Sequence, residues 1–196
     1  MATVRVGNKA VLLVVDVQVG VMGEAWDSGR IIKNVARAVE RARAEGVPVV
    51  WVQHSDDELL FGRPEWQWVP ELVPAEGERL IHKKFNSSFE QTELEEVLAE
   101  LEATHVALAG AATNWCIRAT AYGALGLGYD LTLIEDAHTT ETMELSNGTK
   151  IEASNVIDEL NICMTWVSYP DCANGTATAE EVDFATPGGG AQKDED

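Results

Sequence analysis

Positive charge is what this sequence has least of. Its 196 residues include 14 lysines and arginines against 33 aspartates and glutamates, a formal net charge of −19. A phosphate backbone or an anionic membrane surface would repel such a chain, so neither nucleic acid nor membrane is expected as a partner. Cysteine is also scarce. Cys116, Cys163 and Cys172 are an odd number without metal-ligand spacing, which argues against a disulfide framework and against a zinc site, and leaves free thiols. No apolar run approaches the roughly 20 residues that a membrane-spanning helix needs. The opening stretch MATVRVGNKAVLLVVDVQ runs from its apolar segment straight into an acidic residue, with no cleavage pattern, and a cytoplasmic location is expected. No internal repeat is evident. An acidic surface can steer a cationic ligand, although solubility alone is reason enough for acidity.

What is present is a hydrophobic content of 45%, which at this length suits one well-packed domain. Strongly β-branched apolar runs alternate with helix-period segments, the pattern of βαβ units in a parallel sheet. AVLLVVDV reads as a strand buried on both faces. SGRIIKNVARAVERARAEG places Ile31, Ile32, Val35, Ala38 and Val39 on one helical face, with Ser28 as N-cap and Gly46 as the stop. VPVVWVQH is the second strand. The loop after it, DDELLFGRPEWQWVPELVP, has prolines and tryptophans that suit an irregular excursion, and long ordered loops are often functional. Then come a short strand at ERLIHKK, a helix at TELEEVLAELEA, a strand at THVALAGAA, a helix at NWCIRATAYGALGLG and a strand at YDLTLIEDAH. A helix over about 149–161 and a last apolar run, ICMTWVSYP, complete the pattern.

Six strands with intervening helices predict an α/β fold, a three-layer α/β/α sandwich around a mostly parallel, doubly wound sheet whose ligand site lies at the carboxyl ends of the strands. The domain is assigned to residues 1–170. From Asp171 the composition shifts to Ala, Gly, Thr and acid, with seven acidic residues and one lysine. Residues 171–196 are therefore expected to form a flexible tail, or one docked on a neighbour.

Three polar residues fall where a strand gives way to a loop or helix: Asp16 after VLLVV, Lys83 after RLIH, and Cys116 after VALAG and a short run of small residues. Each has an ordinary explanation. A strand-end aspartate caps a turn, a lysine is a solvated charge, and a cysteine opening a buried helix is a small hydrophobe. Their shared position at strand ends is what sets them apart, because neighbouring parallel strands bring such residues together. A cysteine at a helix N-terminus beside a lysine is expected to be thiolate-prone. Asp16 can then move its proton, and the backbone N–H groups of Ala112 and Cys116 can hold an oxyanion.

VVDVQ, KKFNSSF and GAATNWCIRATAYGALGLGYDLTLIEDAHTT resemble, in order, the successive motifs of the isochorismatase-like cysteine hydrolases, a superfamily that includes nicotinamidases and carbamoylsarcosine amidases. The resemblance runs from about Ala10 to Pro170. It implies that Asp16 is the acid/base, Lys83 the electrostatic partner and Cys116 the nucleophile. Lys83 is preferred to Lys84 because it lies four residues before the serine that opens Ser87-Ser88-Phe89. The resemblance also implies a cis peptide between Ala111 and Ala112 and a homo-oligomer, with a neighbour's loop or tail completing the site. Nicotinamidases carry an Asp-x-His element and a further histidine after the second strand, to hold a metal. Here WVQHSDDELL offers His54 alone, so no metal and no cofactor are expected.

With the cysteine present, the implied reaction is hydrolysis of a C–N amide or lactam bond of a small molecule through a thioester. The acidic surface suits a cationic substrate of the streptothricin type, a lactam in a polycationic molecule. Gln18, His54 and Trp115 are candidates for lining the pocket, and Phe61, Trp66 and Trp68 for closing it as a lid, with packing or subunit contact as the alternative for all six. Two other functions stay open: vinyl-ether hydrolysis of the isochorismatase type, which does not need the thiol, and ligand or partner binding without catalysis.

Overall fold

The apolar run that begins the domain becomes the middle of its sheet. Along β1 (Lys9–Val15) side chains alternate between two cores: Val11, Leu13 and Val15 enter one, Leu12 and Val14 the other. A strand covered on both faces has no polar side to show, which is why its sequence does not alternate. The computed structural model describes residues 5–187.

After β1 follow a single turn α1 (Val19–Met22), α2 (Ser28–Ala44), β2 (Val49–His54), β3 (Arg79–Lys83), α3 (Leu94–Glu100), β4 (Ala103–Ala111), α4 (Arg118–Gly126) and β5 (Asp130–Thr139). A two-stranded hairpin, β6 (Met143–Glu144) with β7 (Lys150–Ile151), leads to α5 (Ala153–Trp166) and β8 (Asn174–Ala177). The six-stranded sheet runs β3-β2-β1-β4-β5-β8, and every neighbouring pair is parallel. Helix α2 covers one face through Ile31, Val35, Ala38, Val39 and Ala42. Helices α3, α4 and α5 cover the other, where Leu98, Ala121, Leu125, Leu160 and Met164 are buried. This is the doubly wound three-layer sandwich the pattern predicts, and among the described residues no helix is long and apolar enough to cross a membrane.

Helix α2 ends where expected. Gly46 sits at φ +70, its N–H bonds the Arg43 carbonyl and that of Val47 bonds Ala42, the paired closure of a glycine-terminated helix. Its start differs by one residue: Asp27, at φ 50, holds the N-cap position, and Ser28 is already helical.

The last third of the chain requires two corrections. Residues 143–151 form the hairpin, and the helix continues through ICMTW to Trp166. Ala153, Ile157, Leu160 and Met164 keep the helical period toward the core, while Ile162 and Trp166, one turn apart, face outward. Apolar residues on both faces of α5 make its end look like a buried strand.

The sixth strand is β8, within the segment expected to be a tail. Asn174 to Ala177 pair with Leu131 to Ile134 of β5. The segment is tied down at both ends: Asp130 accepts the Ala173 N–H at 2.7 Å, Asn174 donates to the Met164 and Val167 carbonyls, and Asp136 accepts the Ala179 N–H at 2.7 Å. Beyond it Ala179, Val182 and Phe184 are buried in the α2-side core. Residues 171–187 are thus part of the domain, while 188–196 lie outside the described residues.

A chain ending at Pro170 loses an edge strand and the burial of Val182 and Phe184, and should be destabilised by about 4 kcal/mol or more. Its urea midpoint is expected to fall sharply below that of the full chain. A midpoint equal to that of the full chain would show that the β8 segment adds nothing to the fold.

Candidate active site

In an open parallel sheet the crevice forms where the strand order reverses. Here that point lies between β1, which leads to β2, and β4, which leads to β5. Asp16 directly follows β1 in the left-handed region, φ 53, with its N–H still bonded to the Val52 carbonyl at 2.9 Å. Aspartate tolerates that conformation better than most residues. Across from it β4 makes an unusually close approach: Gly110, at φ +127, pairs with Val15, and a Cβ there would lie 1.9 Å from the Val15 carbonyl oxygen. Only glycine permits it. The next peptide, Ala111–Ala112, is cis.

Lys83 ends β3, two strands away from β1. Adjacent strands are roughly 4.8 Å apart, so only a long side chain reaches back across β2. It does so while fully buried: Lys83 Nζ lies 2.7 Å from Asp16 Oδ2 and 3.1 Å from Cys116 Sγ. It also meets the Phe85 carbonyl at 3.2 Å and His54 Nδ1 at 3.4 Å. Neither Asp16 oxygen has an aligned hydrogen-bond donor among the described residues. The carboxylate is held by charge and keeps acceptor capacity for a proton.

Cys116 is carried on a π-type turn, Thr113–Ile117, that runs into α4. The Ala112 carbonyl accepts from Trp115 N at 3.0 Å and Ile117 N at 3.1 Å, and not from Cys116 N between them. An α-turn would have given that carbonyl to Cys116. The π register releases its N–H from that bond.

Electrostatics correct one expectation. Burial, followed by the Asp16 charge, pushes the Cys116 thiol up to about 12, and the opposing pull of Lys83 does not offset them. Cys116 therefore rests as a thiol. Burial also raises Asp16, against the attraction of Lys83. For Lys83, burial opposes the ammonium but Asp16 and Cys116 outweigh it, and its pKa is raised. One buried positive charge thus faces two acidic groups that hold one proton between them. Moving that proton from sulfur to carboxylate changes no net charge, so the cavity stays neutral throughout.

The other candidates divide. Trp115, 52% exposed, lines a cavity of about 220 Å³ with Gly20, Glu24, Ala111, Ala112 and Glu141. Phe61 lines another, of about 390 Å³, with Asp56, Asp57 and Lys84. His54 lies between Lys83 and Asp56, whose Oδ2 is 2.9 Å from its Nε2. Gln18 does not line a pocket: it is completely buried, and its amide donates to the His54 and Trp66 carbonyls and accepts the His54 N–H. Trp66 is buried beneath Phe61, ring centroids 4.4 Å apart, and Trp68 packs edge-on against Trp51 at 5.1 Å. Of the three residues expected as a lid, only Phe61 is free to cover anything. Lys83, not the exposed Lys84, enters the site.

Sequence reasoning missed the residues that hold this arrangement. Gln53 helps Gln18 grip the Trp66 carbonyl. Ser88, in the NSSF stretch, bonds Thr120 of α4 through both its N–H and its hydroxyl. His138, in DAHTT, bonds Thr113. The last two lie in stretches that stood out as motifs, a signal that located them without revealing their partners. Among the described residues no group of three or more His, Cys, Asp or Glu side chains is arranged to hold a metal ion.

A thiol raised this far predicts the pH dependence of alkylation. The rate of Cys116 modification by iodoacetamide should keep climbing from about pH 7 to pH 10 without a plateau, because the thiolate fraction rises throughout that range. A plateau beginning near neutrality would show a stored thiolate and overturn this reading.

Comparison with known proteins places the chain in a family. The Isochorismatase domain matches residues 10–161. The isochorismatase family protein YrdC of Bacillus subtilis (strain 168) is 33% identical over 156 residues, 76% of this chain and 83% of that protein. A streptothricin hydrolase of Streptomyces noursei is 31% identical over 144 residues, 70% of this chain but only 57% of its own length. Among solved structures, an isochorismatase from Pseudomonas putida KT2440 aligns with a TM-score of 0.78 at 25% identity, covering 90% of this chain and 91% of that one. An N-carbamoylsarcosine amidase from Thermoplasma acidophilum shares the fold, with a TM-score of 0.68 at 22% identity over 89% and 99% of the two chains. The chain belongs to the isochorismatase family of hydrolases.

Proposed function

We propose that this protein hydrolyses a C–N amide or lactam bond of a small molecule through a thioester on Cys116. The observation that carries the reading is the single buried ammonium, Lys83, in contact with both a carboxylate and a thiol at the point where the strand order reverses. A merely structural lysine has no need of both.

The chemistry balances with one proton. Cys116 Sγ attacks the carbonyl carbon as its proton passes to Asp16, and the carbonyl oxygen becomes an oxyanion held by the N–H groups of Cys116 and Ala112. Asp16 returns the proton to the leaving nitrogen, the C–N bond breaks and a thioester remains. Water then attacks the thioester, gives a proton to Asp16, and releases the acid as sulfur takes that proton back. In a lactam the amine stays tethered to the acyl group, so the ring opens and a single product leaves. Lys83 stays protonated throughout and stabilises whichever of Asp16 and Cys116 is anionic.

The surroundings favour a cationic substrate. The cavity beside Ala112 and Trp115 carries Glu24 and Glu141 and no basic side chain, and the cavity under Phe61 carries Asp56 and Asp57 beside Lys84. An exposed tryptophan face next to carboxylates suits an ammonium or guanidinium group. The relative named streptothricin hydrolase adds support for a lactam of that type, although the match spans little more than half of that protein.

Intact-protein mass spectrometry during turnover of an amide and lactam panel that includes streptothricin is expected to show an acyl adduct on the wild type and none on Cys116→Ala. Asp16→Asn should lower kcat by about 10²- to 10⁴-fold, and Lys84→Met should leave it near wild type. Turnover that survives Cys116→Ala would instead favour a reaction without the thiol, and neither adduct nor product with any compound would favour a binding protein. For a cationic amide, Glu24→Gln and Glu141→Gln should each raise KM about two- to fivefold while leaving KM for a neutral amide unchanged. Equal effects on both amides would remove the case for charge recognition.

A further inference from the structure

One buried titratable side chain takes no part in the chemistry above. Leu108 of β4 pairs with Leu133 of β5, but Gly110 pairs with His138, so two steps along β4 are matched by five along β5. This bulge carries His138 directly beneath the turn that bears Cys116. His138 is completely buried, its Nδ1 is 2.9 Å from Thr113 Oγ1, and its Nε2 is 2.9 Å from Asn161 Oδ1. Asn161 Nδ2 in turn donates to the Glu135 carbonyl at 3.1 Å.

The direction of every bond in this chain is determined. A backbone carbonyl only accepts, so Asn161 must present its NH₂ to Glu135 and its oxygen to His138. That oxygen also only accepts, so the ring proton sits on Nε2. Burial pushes the ring's pKa down to about 4, so the ring is neutral, Nδ1 is an acceptor, and Thr113 must donate to it. The two following residues reach the same region: Thr139 Oγ1 donates to the Trp26 carbonyl at 2.6 Å, and Thr140 Oγ1 donates to Asn114 Oδ1 at 2.5 Å. Thr113 and Asn114, the first two residues of the π-turn, are thus each gripped by a side chain from the carboxyl end of β5 or the residue after it.

We propose that His138 is a positioning residue: with its tautomer set by Asn161, it holds Thr113 and thereby the register of the turn that sets Cys116 Sγ against Lys83 and keeps the Cys116 N–H off the Ala112 carbonyl. It touches no reacting atom. Its consequence for turnover rests on Cys116 being the nucleophile, but its effect on the turn does not.

The test uses iodoacetamide as the probe, with modification at each cysteine followed by peptide mass spectrometry. Asparagine at 138 keeps an acceptor near the Nδ1 position, whereas glutamine keeps a donor near Nε2 and offers Thr113 nothing. His138→Gln and Thr113→Val are therefore expected to loosen the turn and speed alkylation of the buried Cys116 by about fivefold or more, the scale of one lost hydrogen bond. His138→Asn and Thr113→Ser should stay within about twofold of wild type, and the His138→Gln/Thr113→Val double variant should be no faster than either single one. Cys163 and Cys172, both half-buried, serve as internal controls and should not change. The proposal is overturned if His138→Asn speeds Cys116 as much as His138→Gln, if all three cysteines speed together, or if the two effects add. Turnover by Cys116→Ala, measured separately, would defeat the nucleophile reading while leaving this outcome to stand or fall by itself.

Discussion

A lysine buried without solvent at the carboxyl edge of a parallel sheet is the constraint on which the rest of this site depends. Removing an ammonium from water costs several kcal/mol even after relaxation, and only a close counter-charge repays it. Asp16 supplies that charge at 2.7 Å, and it is itself 2% exposed, so neither group is tolerable without the other. The pair in turn fixes geometry over a wide area. β3 must stop at Lys83, β1 must turn sharply at Asp16, and the loop after β3 must fold back so that the Phe85 carbonyl can take one of the ammonium protons. Cys116 and His54 lie beside the ammonium as well.

The backbone adapts to this pair more than the side chains do. Gly110 lets β4 lie against the end of β1 where any other residue would collide with the Val15 carbonyl. The π-type turn then changes which N–H the Ala112 carbonyl receives. Behind both stands the β5 bulge, which places His138 where a regular ladder would not, while Asp136 within the bulge anchors Ala179 and Asn34. Four departures from regular geometry, at Asp16, Gly110, Thr113–Ile117 and 134–137, thus lie within a few residues of one another in space and converge on one sulfur atom. Irregularity concentrated at one edge of a regular sheet is expected at functional sites, where local rules give way.

Much of this was legible in the residues. Apolar runs located five of the six sheet strands, and the position of Asp16, Lys83 and Cys116 at strand ends brought them together before any geometry was known. What escaped has physical reasons. Asn174 to Ala177 lack the β-branched apolar signature because this short edge strand is held by backbone pairing and by the polar side chains of Asp130 and Asn174, not by apolar side chains of its own. The end of α5 has apolar residues facing both ways, so its period is obscured. Gln18 sits near Asp16 in sequence yet serves only backbone carbonyls and an N–H, a role that depends on where the loop around Trp66 folds. The thiol's protonation state was out of reach for a similar reason: proximity to lysine is a property of sequence neighbours across a sheet, but the depth of burial that overrules it is a property of the whole fold.

That protonation state bears on which bonds the site suits. An amide nitrogen leaves only when protonated, so the proton must be available at the moment the tetrahedral intermediate collapses. A resting thiolate beside an ionised Asp16 would place a net negative charge in the cavity and hold no proton for the amine. In the proposed amide hydrolysis, with the thiol protonated, the proton that Asp16 would remove from sulfur during attack is the same proton that it would deliver to nitrogen, and Lys83 would neutralise one negative charge at each stage. The burial that makes Cys116 a weak acid is therefore not an obstacle that the site must overcome. In that proposal it stores the leaving group's proton on Cys116, and it makes the carboxylate 2.7 Å from Lys83, rather than an outside base, the group that would decide when attack begins.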